Sequence, residues 1–392
     1  MIARLPLNRV ETVPIRKLRE VSLGDLLAVG IPALLLAGAG FWFAAQFIKP
    51  APPDHLVFTT GADGGAYQYY AARYRRVLER FGIELVEKPS AGSIENLQRL
   101  VSPNEDVDAG FVQGGTVGDA DDHALASLGA IYYEPVWVFY RGPPGHRRLE
   151  DLAGKRIAIG PEGSGTRKLA LELLEGHGMT GSTSRLSPLS GPRAVEAIRR
   201  GELDAVIAVG TLHSATVWLL LHTPGISLAS FEQAEAYVRH FPYLSVLTLP
   251  RGAVSFVRDI PPHDVKMIAP TASVVVRKDT HPALIDLLLQ AMHEIHREHG
   301  VFQTANLFPN GVETDFPLDD RAERFSRSGP PFLQRYLPFW VANFIDRVMV
   351  LHSEPGPSGF DQRPYRSFNA TAENLSHIVR AVYRDICENI TN

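Results

Sequence analysis

Ser164 and Thr166 lie in a glycine-rich stretch, GPEGSGT, between a short β-branched segment (Arg156 to Ile159) and a run with leucines at 169, 173 and 174. Strand, loop and helix in that order place the first backbone N–H groups of the helix beside the loop. Those groups have no internal partner and carry the positive end of the helix dipole, so they hold an anion without a side-chain charge. Gly163 and Gly165 let backbone approach a ligand, and Ser164 and Thr166 add hydroxyls at or near the cap. A carboxylate is the natural guest. Other chemistries fit the same letters less well. A hydrolase nucleophile needs glycines two residues either side of the serine, whereas here they are adjacent. A nucleotide loop needs the lysine of GxxxxGK[ST] or the GxGxxG spacing, and neither is present. His293, His296 and His299 share one helical stretch, but the HEIH spacing is not the i, i+4 pair of HExxH, so it reads as a solvated polar face and no metal is expected.

A second site of the same kind precedes the first by about a hundred residues. LVFTTG (Leu56 to Gly61) reads as a strand, ADGG as a loop, and a helix follows from Ala66 with Tyr67, Tyr70, Tyr74 and Val77 along one face. Thr60, Gly61, Gly64 and Gly65 belong to that loop region. The tyrosine stripe is core in character except for Tyr67, whose first-turn position makes it a candidate ligand contact. Ser93 is a good N-cap with Asn96 three residues on, and Gln113 ends a strand where ligands of open α/β sheets sit.

These sites need a frame. Residues 54–140 alternate strand and helix, with IELVEKP, a helix from Ser93 through Leu100 and VDAGFVQGG, which implies βαβ units and a parallel sheet. LGAIYYEPVWVFYR (Leu128 to Arg141) is a long extended run suited to crossing between lobes. Residues 141–249 repeat the pattern, and 250–330 return to the first lobe through APTASVVVRK and the helix His281 to Gly300. The expectation is an α/β chain with two lobes about one cleft, hinged near Tyr133 to Arg141 and near Tyr243 to Arg251.

Composition narrows the setting. The 392 residues, 45% of them hydrophobic, suffice for real cores. A net charge of −4 without a basic stripe argues against nucleic acid, and one cysteine, Cys387, excludes an internal disulfide. Residues 26–48 form an uncharged apolar run, LLAVGIPALLLAGAGFWFAAQFI, about 34 Å long as a helix against a bilayer core of about 30 Å. Arg4, Arg9, Arg16, Lys17 and Arg19 precede it, which places residues 1–25 in the cytoplasm and the remainder outside a cytoplasmic membrane. Residues 331–351 are aromatic-rich and membrane-proximal or packed in character, and 352–392 form a polar tail expected to be disordered with one weak helix.

TTGADGGAYQYY, SAGSIENLQRL, VDAGFVQ, IYYEPVWVFYR and DLAGKRIAIGPEGSGT together resemble the membrane-anchored branch of the TAXI (TRAP-associated extracytoplasmic immunogenic) solute receptors, over roughly Leu56 to Leu351. The resemblance implies a two-lobed periplasmic binding protein of type II with an N-terminal transmembrane helix, no cofactor and no enzymatic activity. Such a protein hands a small organic anion, glutamate- or dicarboxylate-like, to the membrane subunits of a TRAP transporter. Thr60, Gly61, Gly64, Gly65, Tyr67, Ser93, Asn96 and Gln113 would then line one side of the ligand, and Gly163, Ser164, Gly165 and Thr166 the other. Ala66, Asp63 and the pair Gly114 and Gly115 depart from the family pattern of threonine, a neutral residue, and serine with aspartate. No second membrane span follows the YLPFW segment, as it often does in that branch. The alternative is a membrane-tethered sensor or scaffold with the same lobes and no transport role.

Overall fold

The computed structural model describes residues 53–117, 124–143, 145, 148–179, 184–312 and 314–329. The apolar run at 26–48 and the segments 331–351 and 352–392 lie outside them. No helix among the described residues is long and apolar enough to cross a membrane.

Two five-stranded sheets carry the structure. The first has the order β2-β1-β3-β12-β4, built from β1 (His55–Thr59), β2 (Glu84–Lys88), β3 (Ala109–Gln113), β4 (Leu125–Tyr133) and β12 (Thr271–Arg277). β1 runs parallel to β2 and β3, with helices α1 (Ala66–Glu79) and α2 (Ser93–Val101) as crossovers, while β12 is antiparallel to both β3 and β4. The second sheet has the order β7-β6-β8-β5-β9, from β5 (Val136–Arg141), β6 (Arg156–Ala158), β7 (Arg185–Ser187), β8 (Ala205–Val209) and β9 (Ile226–Leu228). Its helices are α3 (Gly165–Gly176), α4 (Gly191–Arg200), α5 (Ala215–Leu221) and α6 (Ala234–His240). A separate antiparallel pair, β10 (Ser245–Leu249) with β11 (Val265–Ala269), packs on the second sheet's core. α7 (Pro282–His296) and α8 (Asp320–Ser328) close the first lobe.

Both faces of the second sheet are covered, and β5 shows why its sequence is apolar throughout. Val136, Val138 and Tyr140 point into one cluster with Leu169, Leu173 and Leu174 of α3, whereas Trp137 and Phe139 point into the other with Ala194 and Ile198 of α4. A strand buried on both faces cannot alternate apolar with polar.

The lobe boundaries fall elsewhere than at 140/141 and 249/250. The run Leu128 to Arg141 is two strands in two sheets, broken at Glu134–Pro135: Pro135 has no N–H to continue a ladder, and β5 pairs with β8 and β9. The second crossing is at Pro270, between β11 and β12, not in Tyr243 to Arg251, because β10 pairs with β11 and stays with the second lobe. The Glu134 N–H donates to the Pro270 carbonyl at 2.8 Å, so the two crossings touch.

Candidate functional site

Helices α1, α2 and α3 all begin at the cleft between the sheets. α1 and α2 have Gly65 and Gly92 as their cap residues, without a side-chain cap bond. α3 is capped by Ser164, whose Oγ accepts from Arg167 N at 3.2 Å and donates to the Pro161 carbonyl at 2.7 Å. Direct contacts join the lobes there. Glu95 N donates to the Gly163 carbonyl at 3.0 Å, Gln113 Nε2 to the Gly165 carbonyl at 3.2 Å, Lys168 Nζ to the Gly115 carbonyl at 2.7 Å, and Ala215 N to the Gly64 carbonyl at 3.3 Å.

Close approach explains the glycines on both sides. Gly163 sits at φ +81°, and a Cβ on it would lie 3.3 Å from Ala91 Cβ. Gly115, at φ +78°, leaves no room at all: a Cβ there would be 2.5 Å from the Tyr243 ring. The departure to glycine at this position therefore makes way for an aromatic ring from the second lobe. Asp63, another of the departures, accepts from Gln68 Nε2 at 3.0 Å.

The predicted residues divide into two groups. Tyr67, Ser93 and Gln113 form one connected polar chain: Gln113 N donates to Ser93 Oγ at 2.9 Å, Ser93 Oγ lies 2.9 Å from the Tyr67 hydroxyl, and that hydroxyl donates to Glu134 Oε2 at 3.0 Å. Asn96, by contrast, is wholly buried and fully used inside the first lobe. Its Nδ2 donates to the carbonyls of Thr60 and Phe111 at 2.6 and 2.8 Å, and its Oδ1 accepts from Thr59 and Ser90 at 2.7 and 2.6 Å. With both donors and both lone pairs spent, Asn96 fastens loop to sheet and has nothing left for a ligand. Ser164 is likewise occupied by its cap. The Thr60 carbonyl is taken by Asn96, while Gly61 abuts Tyr67, with 3.1 Å between an added Cβ and Tyr67 Cβ. The Thr166 hydroxyl forms no hydrogen bond among the described residues and is half-buried beside Gly160.

Glu134 is the site residue that sequence reasoning missed. It lies within the long extended run Leu128 to Arg141, where an acid immediately before proline is the signal that marks it. Its side chain is buried and its carboxyl is pushed up to about 8, chiefly by loss of solvation, against which the Tyr67 hydrogen bond acts in the opposite sense. Burial foremost, and Glu134 second, hold the Tyr67 phenol well above the usual range.

The histidine helix also differs from expectation. His296 is 2% exposed, its Nε2 lies 3.1 Å from the Tyr74 hydroxyl, and its rings pack on Tyr70 and Tyr132. Burial first, and the Arg73 charge second, hold its imidazole down to about 3. Only His299 is freely solvated, and His293 is half-buried.

Residues 58–307 match the model of the NMT1-like family. Among solved structures, a protein from Bordetella bronchiseptica RB50 is similar at 17% identity, with 62% of this chain and 70% of that one covered and a TM-score of 0.44. The BenM effector-binding domain with its effector benzoate shares 13% identity over 67% of this chain and 100% of that one, TM-score 0.43. The periplasmic aliphatic sulphonate binding protein SsuA from Escherichia coli shares 14% identity over 83% and 94%, TM-score 0.39.

Proposed function

The chain belongs to the NMT1-like family, and from that premise we propose that it is an extracytoplasmic solute receptor that closes two lobes on a small organic anion and delivers it to a membrane transporter of the TRAP type. One observation carries the reading: the N-termini of α1 and α2 from one lobe and of α3 from the other open on the same cleft, and among the described residues two crossings join the lobes. First-turn N–H groups of α1 and α2, which no side chain caps, suit a carboxylate, since charge-assisted hydrogen bonds contribute about 1.5 to 3 kcal/mol each. A ligand that touches both lobes favours their contact by its differential affinity, and that is all a receptor has to signal to a partner. The apolar run at 26–48 would tether it to the cytoplasmic membrane with the lobes outside.

Thermal unfolding of the purified protein against a panel of amino acids, mono- and dicarboxylates and sulfonates tests the reading. A ligand bound only by the folded protein should add about 2.7 kcal/mol at a hundredfold excess over Kd, an upward shift of a few degrees. No shift with any member, in a cooperatively folding sample, would leave the scaffold reading in its place.

A further inference from the structure

We infer that Phe256 and Val257, at the tip of the loop between β10 and β11, form a finger that dips into the surface of the lipid bilayer beside the tether. The inference rests on the tether of the receptor reading and adds a second point of contact, on the other lobe. Phe256 and Val257 are 92% and 97% exposed, next to each other in the chain. Two large apolar side chains that bare are held in water at a cost that a partner would relieve. Nor is the loop slack. Arg251 braces it: its Nε donates to Asp259 Oδ1 and Oδ2 at 2.8 and 3.1 Å, its Nη2 to Asp259 Oδ2 at 2.7 Å, and its backbone N to Asp264 Oδ1 at 2.8 Å. Gly252 N donates to the Pro261 carbonyl at 2.9 Å, Val254 N to that of Ile260 at 3.0 Å, and Ile260 N back to that of Ser255 at 3.0 Å. Asp259 takes the left-handed conformation, φ +50°, as the chain turns back from the tip. Ala253 and Val254 root the loop in the cluster around Trp137 and Phe139. The tip is thus ordered before it meets anything, which lowers the entropy lost on contact.

Lipid suits this tip better than a protein face does. A stable protein interface takes about 20 residues or more a side, whereas here two apolar residues stand out beside charged ones. A bilayer asks for no complementary shape, only an apolar tip with a cation at headgroup level. Arg258 follows Val257 directly and is exposed; among the described residues the ion pair of this loop is Arg251 with Asp259, and Arg258 has none. The neighbouring helix adds a second exposed aromatic. An apolar cavity of about 100 Å³ is lined by Leu220 and Leu221 of α5 together with Ile260 and Pro261 of the loop, and on that helix Trp218 is 53% exposed. Tryptophan is enriched at membrane interfaces. Reach comes from the sequence: five residues, Lys49 to Pro53, separate the apolar run at 26–48 from Asp54, at most about 18 Å when extended, so the lobes stay beside the bilayer. A tip held that near binds in an intramolecular step, and two side chains suffice where an untethered protein needs more. The tether enters the first lobe at β1 and the finger belongs to the second, so both lobes of the cleft are tied to the membrane.

The test uses the full chain with its one cysteine removed by Cys387→Ser, carrying a nitroxide at Val257→Cys or, for comparison, at Val312→Cys, a first-lobe position 88% exposed. Each is placed in vesicles of phosphatidylethanolamine with phosphatidylglycerol. Collisions of the nitroxide with oxygen, which concentrates in lipid, are then compared with its collisions with a water-soluble nickel chelate. The nitroxide at 257 should favour oxygen and the one at 312 the chelate. Phe256→Ser should lower the inserted-to-aqueous ratio at 257 about 10- to 150-fold, the worth of burying one large apolar side chain. All three positions are exposed, so the variants should melt with the parent. A nitroxide at 257 that meets the chelate freely, in a chain that carbonate washing leaves in the vesicles, would overturn the finger and spare the tether. Shielding from both reagents would overturn it in favour of a protein contact. Release of the chain by carbonate would remove the tether and the inference with it, and would leave the solute-receptor reading to its own ligand test.

Discussion

At the scale of single residues, two buried groups shape the pH dependence of stability in opposite directions. Glu134 has its carboxyl raised from an ordinary 4.5 to about 8, so the folded state holds the proton more tightly than the unfolded chain. Its contribution is fully present below 4.5 and is lost as pH rises to about 8. His296 has its imidazole lowered from 6.5 to about 3, so its contribution is full above 6.5 and is lost as pH falls toward 3. Between 4.5 and 6.5 the two slopes cancel. Urea unfolding from pH 3 to 9 should therefore show a plateau with a decline on each side, at up to about 1.4 kcal/mol per pH unit. Glu134→Gln should flatten the alkaline limb and extend the acid limb up to about 6.5, since the His296 slope is no longer cancelled there; an unchanged alkaline limb in that variant would mean that Glu134 is already ionised in the fold. None of this was visible in the sequence. Tyr74, the partner of His296, is 222 residues away in the chain, and Glu134 stood inside an apolar run.

At the scale of elements, local pattern carried a good deal. The expected starts of α1 near Ala66 and α2 at Ser93 agree with the structure, although Gly92 and not Ser93 is the cap residue of α2 and the Ser93 hydroxyl accepts from Gln113 N instead, and Leu169, Leu173 and Leu174 lie on the buried face of α3. What escaped was short or long-range: β9 is three residues long, and the pairing of β10 with β11 decides their lobe by contacts that no periodicity records. The cap of α3 was legible as a serine in the right place, but not its consequence. Because Ser164 Oγ is spent on Arg167 N and Pro161 O, Ser164→Ala should cost about 1 kcal/mol of stability before any ligand is considered. Thr166→Ala, removing a hydroxyl with no partner among the described residues, should stay within about 0.5 kcal/mol of the parent. Chemical denaturation of both variants separates the roles, and equal losses would contradict the assignment of Ser164 as the cap. A weakened ligand affinity in Ser164→Ala alone would thus report a loosened helix end, whereas one in Thr166→Ala would report a lost contact.

At the scale of the whole molecule, the tether and the lobes make separate claims. The uncharged run at 26–48 and the five basic residues before it lead to the expectation that protease added to spheroplasts digests the lobes and leaves a small membrane-held stub. Intact protein in the soluble periplasmic fraction would speak for cleavage instead. The two crossings, meanwhile, have a consequence for how the protein is made. The second lobe is one unbroken insertion, from Pro135 to Ala269, in a first lobe that it divides. β12, which separates β3 from β4 in the first sheet, is the last of its strands to leave the ribosome. The inserted lobe can therefore complete its sheet on the outer side of the membrane while the first lobe still shows two open strand edges, and chaperones that attend this chain there should meet it at β3 and β4, until residue 277 has emerged.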